Sequence, residues 1–250
     1  MLIDACYRVL CERRLKRNYN QENFVNFMKS ETYRYTEKYA NNRVNIHNPE
    51  NVSKLLKGNG IVLTCLHYGS FFLTGPALAS QMNLISTGIV THSNLLILEK
   101  KDADFWRGVH RRIEVAQKEK FFYAGRVEKN KIVSFLNNPQ SILWAMIDVR
   151  EAGRDREEYP LIFQDKTYYF QIGPAKLACL SNVPYVPTCI KYDLKSKKHN
   201  LYIGTPIMPT ISPLVMTQLA LNQISQMIGS DHTQFFHDLN YFSTPKTQLL

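Results

Sequence analysis

The 250-residue sequence contains no run of about 18 or more consecutive apolar residues, so it is not expected to cross a bilayer as a helix. Its N-terminus lacks the basic, apolar, small-residue succession of a secretory signal. Cysteine is sparse and odd in number. Cys6, Cys11, Cys65, Cys179 and Cys189 form no C-x-x-C pair and fall mostly in apolar runs, which reads as reduced core thiols of a cytosolic protein. No glycine-rich phosphate loop follows a strand, so nucleotide binding of that kind is excluded. Helix-turn-helix, zinc-finger and aromatic-basic patterns are missing too, and the basic residues are scattered, which argues against nucleic acid as partner. His92, His110, His232 and His237 show no metal-ligand spacing, and no metal is expected.

What is present suffices for a globular core, with 44% hydrophobic residues and no repeat or low-complexity tract. The formal charge of +10 attracts phosphates and acidic surfaces without choosing among them. The pattern predicts one α/β domain over 1–250, with a helical lead-in (1–57), an α/β core (58–206) and a helical end (207–250). Residues 1–17 read as an amphipathic helix with a basic end, suited either to a membrane interface or to packing on its own domain. Residues 20–40 read as a second helix. Strands are expected at 61–66, 84–90, 120–123, 142–147, 183–192 and 200–203, with helices at 71–81, 102–118, 129–136, 174–181 and 213–228. Their alternation implies a central, largely parallel or mixed sheet flanked by helices, and 160–170 reads as a hairpin turning at Asp165-Lys166.

His67 stands at the carboxyl end of the first apolar strand, where open α/β sheets bind ligands. Gly69 and Ser70 suit a tight passage from strand to helix, with Ser70 as N-cap. A histidine there can take a proton from a hydroxyl or amine, or simply hold a loop through a hydrogen bond. Cys65, two residues earlier, would point to the same side of a strand, as a covalent nucleophile or as buried packing.

The segment from Gly60 through His67, Gly69 and Phe71 resembles the first block of the bacterial lipid A late acyltransferases, part of the lysophospholipid acyltransferase-like superfamily. Three further blocks are similar in order and spacing: Ile147 to Arg150 with Tyr159 to Asp165, then Gln171 to Ala178, then Val183 to Pro187. The resemblance covers about residues 55–205 and implies an acyltransferase-like fold with His67 as base. Two departures stand out. The family carries Asp or Glu five positions after the histidine, where this chain has Phe72, and it carries a membrane-inserting N-terminal segment where this chain has only the short helix. Glu99, Asp102, Asp104, Asp148 and Glu151 are the candidates to replace the acid, Asp148 foremost because it ends a strand of the same sheet. Alternatively His67 works unassisted, or catalysis is lost.

The resemblance also places an arginine-bearing helix at 106–112. Arg107 and Arg111 would share a face and, with Arg112 and Arg150, could hold phosphate, or simply form a solvated basic surface. Backbone N–H groups near Gly69 or Gly173, or an Arg, would stabilise an oxyanion. What the resemblance implies is transfer of an acyl or aminoacyl group, glycyl in one divergent branch, from a carrier-protein thioester to a lipid hydroxyl such as one of lipid A. The partners implied are an acidic carrier with a phosphopantetheine arm and an anionic membrane surface, at the cytoplasmic face of the inner membrane, with no bound cofactor. Adding an amine to lipid A would weaken the attraction of cationic antimicrobial peptides. A non-catalytic lipid- or carrier-binding module and an acyltransferase of secondary metabolites are the alternatives.

Overall fold

The structure is a computed structural model that describes residues 2–56, 58–91, 100–124, 129–149 and 157–245, without the side chains of 2–5, 91 and 100–102. Three helices lead in: α1 (Leu2–Arg17), α2 (Gln21–Glu31) and α3 (Glu37–Arg43). The single helix expected over 20–40 is therefore two. A 3-10 turn at Thr32–Arg34 ends the first, and Thr36 caps the second by accepting from the Tyr39 N–H. Strand β1 (Val44–His47) and a short α4 (Glu50–Ser53) follow, neither of them expected. β1 has only four residues, too few to show a period against its polar surroundings.

The core begins with β2 (Ile61–Cys65), every residue of which is buried. After it come a 3-10 turn (Phe71–Leu73), α5 (Thr74–Gln81), β3 (Ile85–Thr91), α6 (Lys100–Gln117), β4 (Phe122–Ala124), α7 (Lys129–Leu136) and β5 (Ser141–Met146). The hairpin β6 (Tyr159–Phe163) and β7 (Lys166–Phe170) turns at Gln164-Asp165, one residue earlier than expected, with both residues left-handed at φ 49° and 62°. Then follow α8 (Gly173–Ser181), β8 (Tyr185–Asp193), β9 (Lys198–Ile203) and α9 (Pro213–Ile228).

Seven strands form one sheet in the order β1-β9-β8-β2-β5-β3-β4, parallel throughout except for the antiparallel β8–β9 pair. Strand alternation divides the core. Ile61, Leu63 and Cys65 of β2, with Ile142, Trp144 and Met146 of β5, pack towards α2, α3, α5 and α6. Val62 and Leu143 face the other way, towards α7, α8 and α9. A third cluster joins Leu66, Tyr68 and Ile147 to the hairpin, α9 and the C-terminal segment at Phe235–Phe242, and so covers the carboxyl end of the central strands. On α1, Cys11 and Leu15 are buried against the domain, while Val9 and Leu10 of the expected apolar face are exposed, as is Tyr7. Cys6 is also exposed, so it is not the core thiol expected, and all five cysteines are free. No helix among the described residues is long and apolar enough to cross a membrane.

Candidate active site

β2 and β5 are adjacent and parallel, and their last residues, Cys65 and Met146, are register partners. The pairing continues one step further, since the Ile147 N–H donates to the Cys65 carbonyl at 3.2 Å. His67 and Asp148 therefore leave the sheet at the same height on neighbouring strands, about 5 Å apart in backbone position. His67 Nδ1 lies 2.9 Å from Asp148 Oδ1, and the His67 backbone N–H donates to Oδ2 at 2.8 Å. Asp148 is 2% exposed and the His67 side chain 19%. A carboxylate can only accept, so the proton of a neutral His67 sits on Nδ1 and Nε2 keeps its lone pair. Nε2 makes no hydrogen bond among the described residues.

Two rings bracket the imidazole. Phe71 and His237 each meet it edge-on, at centroid distances of 4.9 and 4.8 Å. His237 arrives from a segment that pairs with the His67 turn. The Phe236 N–H donates to the His67 carbonyl at 2.9 Å, and the Gly69 N–H to the Gln234 carbonyl at 2.8 Å. Loss of solvent around its ring, then the neighbouring His67, lower the His237 pKa to about 4, although part of the residue remains open to water. A pocket of about 240 Å³ opens beside His237, lined among others by Lys166, Tyr168, His232 and Asp238. From its sequence context His237 is a candidate metal ligand at most. It lies 170 positions beyond His67 and carries no local pattern, so only the fold could find it. Among the described residues no cluster of three or more His, Cys, Asp or Glu could hold a metal ion.

Phe72 turns into the core, with its ring against Trp106, His110 and Trp144. A carboxylate there would be buried among aromatics. Gly69 is required by the backbone, with φ at +57° and the Ile190 carbonyl oxygen only 1.8 Å from where a Cβ would stand. Its N–H is already taken by the Gln234 carbonyl, so this one group is not free to meet an oxyanion. Ser70 is no side-chain N-cap either: its hydroxyl lies buried, 2.6 Å from His199 Nδ1. Gly173 opens α8 and is exposed. Gln171, two residues before it, bonds the Ile147 carbonyl through its N–H and the Val149 carbonyl through its side chain, which sets this helix start at the same end of the sheet as Asp148.

The three arginines of α6 are engaged elsewhere than at the histidine or open to solvent. Arg107 and Arg111 share an exposed face of α6, with Arg107 paired to Asp104 at 2.7 Å. Arg112 points back to the lead-in, donating to the Thr32 carbonyl at 3.3 Å with its guanidinium over the Tyr33 ring. Arg150 lies outside the described residues, as do Arg126, Arg154, Arg156, Glu99 and Glu151, and Asp102 is described in its backbone alone. Cys65 is fully buried, and burial, then the nearby Asp148 charge, push its thiol well up, away from the reactive thiolate.

No protein-family model matches the sequence, and no curated protein matches it as a relative. Among solved structures the chain is similar to the 1-acyl-sn-glycerophosphate (LPA) acyltransferase PlsC from Thermotoga maritima, at 14% identity and a TM-score of 0.45, over 83% of this chain and 80% of that one. A likeness of that size assigns nothing to this chain, and its function rests on the site itself.

Proposed function

We propose that the chain transfers an acyl-type group from a thioester to a hydroxyl or amine, with His67 as general base oriented by Asp148. The observation that carries this reading is the double junction between the two residues at the carboxyl edge of the central strands. Nε2 of His67 takes the proton of the acceptor, whose oxygen or nitrogen bonds to the thioester carbonyl carbon. Asp148 holds the imidazole in the productive tautomer and favours the imidazolium that forms. The tetrahedral oxyanion then collapses, the carbon–sulfur bond breaks, and the imidazolium returns the proton to the leaving thiolate. Backbone N–H groups at the start of α8, beginning with that of Gly173, are the donors proposed for the oxyanion.

The finer assignment follows the sequence resemblance. The donor is an acyl or aminoacyl (glycyl) thioester on an acidic carrier protein, and the acceptor a lipid headgroup such as lipid A at an anionic membrane surface. The charge of +10 favours both partners. Incubating the protein with acyl-loaded and glycyl-loaded carrier and a lipid acceptor tests it. Movement of the fatty chain alone rejects the glycyl reading. A chain inert towards every thioester loses the catalytic reading and leaves a carrier- or lipid-binding module.

A further inference from the structure

Ser70, three residues past the base, begins a buried chain of polar groups that the transfer step above does not use. Its Oγ lies 2.6 Å from His199 Nδ1, and the other nitrogen of that ring, Nε2, lies 3.1 Å from the Tyr39 hydroxyl. Tyr39 donates to Glu31 Oε2 at 2.5 Å, while Arg8 and Arg34 both reach Glu31 Oε1, at 3.3 and 3.6 Å. Ser70, His199 and Glu31 are all buried.

The donors can be ordered from one end. The Glu31 carboxylate between two guanidinium groups only accepts, so the Tyr39 O–H points to it. The Tyr39 oxygen then accepts from His199, which places that proton on Nε2. Nδ1 is left bare and takes the Ser70 O–H. Burial, then the charges of Arg43 and Arg34, lower the His199 pKa to about 3, so the ring carries only this one proton. Donation thus runs from Ser70 through His199 and Tyr39 to Glu31, with Met28 Sδ, 3.5 Å from Ser70 Oγ, and the Tyr35 hydroxyl as further neighbours of Ser70, and such a network holds the Ser70 rotamer.

We propose that Glu31, Tyr39 and His199 are positioning residues for His67, acting through Ser70 on the turn that carries the base. Tyr39 and Glu31 belong to the helical lead-in and His199 to β9, so the chain ties both to the residue just before the 3-10 turn that follows His67. The lead-in is then part of the machinery that sets the His67–Asp148 geometry. This rests on His67 being the working base, but the test needs no turnover.

Full-length protein labelled with ¹⁵N in its histidine side chains is compared by NMR with Tyr39→Phe, Ser70→Ala and the near-isosteric Glu31→Gln. In the wild type, His199 is expected protonated on Nε2 and His67 on Nδ1. Tyr39→Phe removes the acceptor and releases the His199 tautomer, and the His67 Nδ1–H resonance shifts or broadens in all three variants while circular dichroism stays native. Where a thioester is turned over, kcat falls about tenfold with KM unchanged, as a small misplacement of a catalytic group requires. A wild-type His199 protonated on Nδ1 would overturn the ordering. Variants that lose melting temperature but leave the His67 resonance unmoved would reduce the chain to a purely structural role. Because the resonances are read without substrate, a protein that transfers nothing still decides the proposal.

Discussion

Asp148 accepts from His67 twice, once from the ring and once from the backbone. The same carboxylate thus shapes the turn and orients the imidazole. Asp148→Asn can still accept one of these bonds but no longer balances an imidazolium. Transfer is expected to fall by about 10²- to 10⁴-fold, the usual span of general acid–base assistance, with native circular dichroism. Asp148→Ala also strands the His67 backbone N–H, and its unfolding midpoint in urea is expected below that of Asp148→Asn.

Phe72 separates two explanations of the acid. If position 72 were a vacancy waiting for a carboxylate, Phe72→Glu would restore transfer to Asp148→Asn. The ring instead fills a slot between Trp106, His110 and Trp144. Phe72→Glu is expected to cost about 3 kcal/mol or more in urea denaturation, as an unpaired buried charge does, and to restore nothing.

Acid should loosen the fold through two buried rings. Burial lowers His110 to about 4 and His199 to about 3, both from an ordinary value of 6.5. Each stays neutral in the folded chain and gains a proton on unfolding once the pH drops below the ordinary value. Their contribution is therefore complete above about pH 6.5 and is lost as pH falls towards the folded values, by about 1.4 kcal/mol per pH unit for each ring. His110 Nδ1 has no hydrogen-bond partner, and its ring packs against Phe72 and Phe121. His110→Phe should therefore retain the fold and lose less stability than the wild type between pH 7 and pH 5, read from urea midpoints. Equal losses would remove His110 from the acid response.

Gly69 tests the turn itself. An alanine there meets the Ile190 carbonyl and must also hold a left-handed backbone. Gly69→Ala is expected to lower stability by at least about 2 kcal/mol, measured by urea unfolding, or to prevent soluble expression.

The central sheet was readable because its strands are short apolar runs between helical patterns. β5 and α9 fall within a residue of expectation. Segments without such contrast were lost: β1 is a four-residue polar-edged strand, and the break at Thr32–Arg34 comes from local turn geometry inside a helical composition. In the site, His67 was visible from its strand end. Asp148 could be favoured because it too ends a strand, yet only the β2–β5 register brings the two together. His237 and His199 depend on contacts between distant segments, which no spacing encodes. The arginine pattern on α6 showed which residues share a face but left a phosphate site and a solvated surface both open, and the fold turns Arg107 and Arg111 to solvent.

The most direct measurement is single-turnover transfer from a loaded carrier thioester to a lipid acceptor by the wild type, His67→Ala and Asp148→Asn. The expected result is transfer by the wild type, a loss of about 10²-fold or more in both variants, and a shared rate limit in the double variant, because the two residues act as one unit. Unchanged transfer in His67→Ala would contradict the central claim.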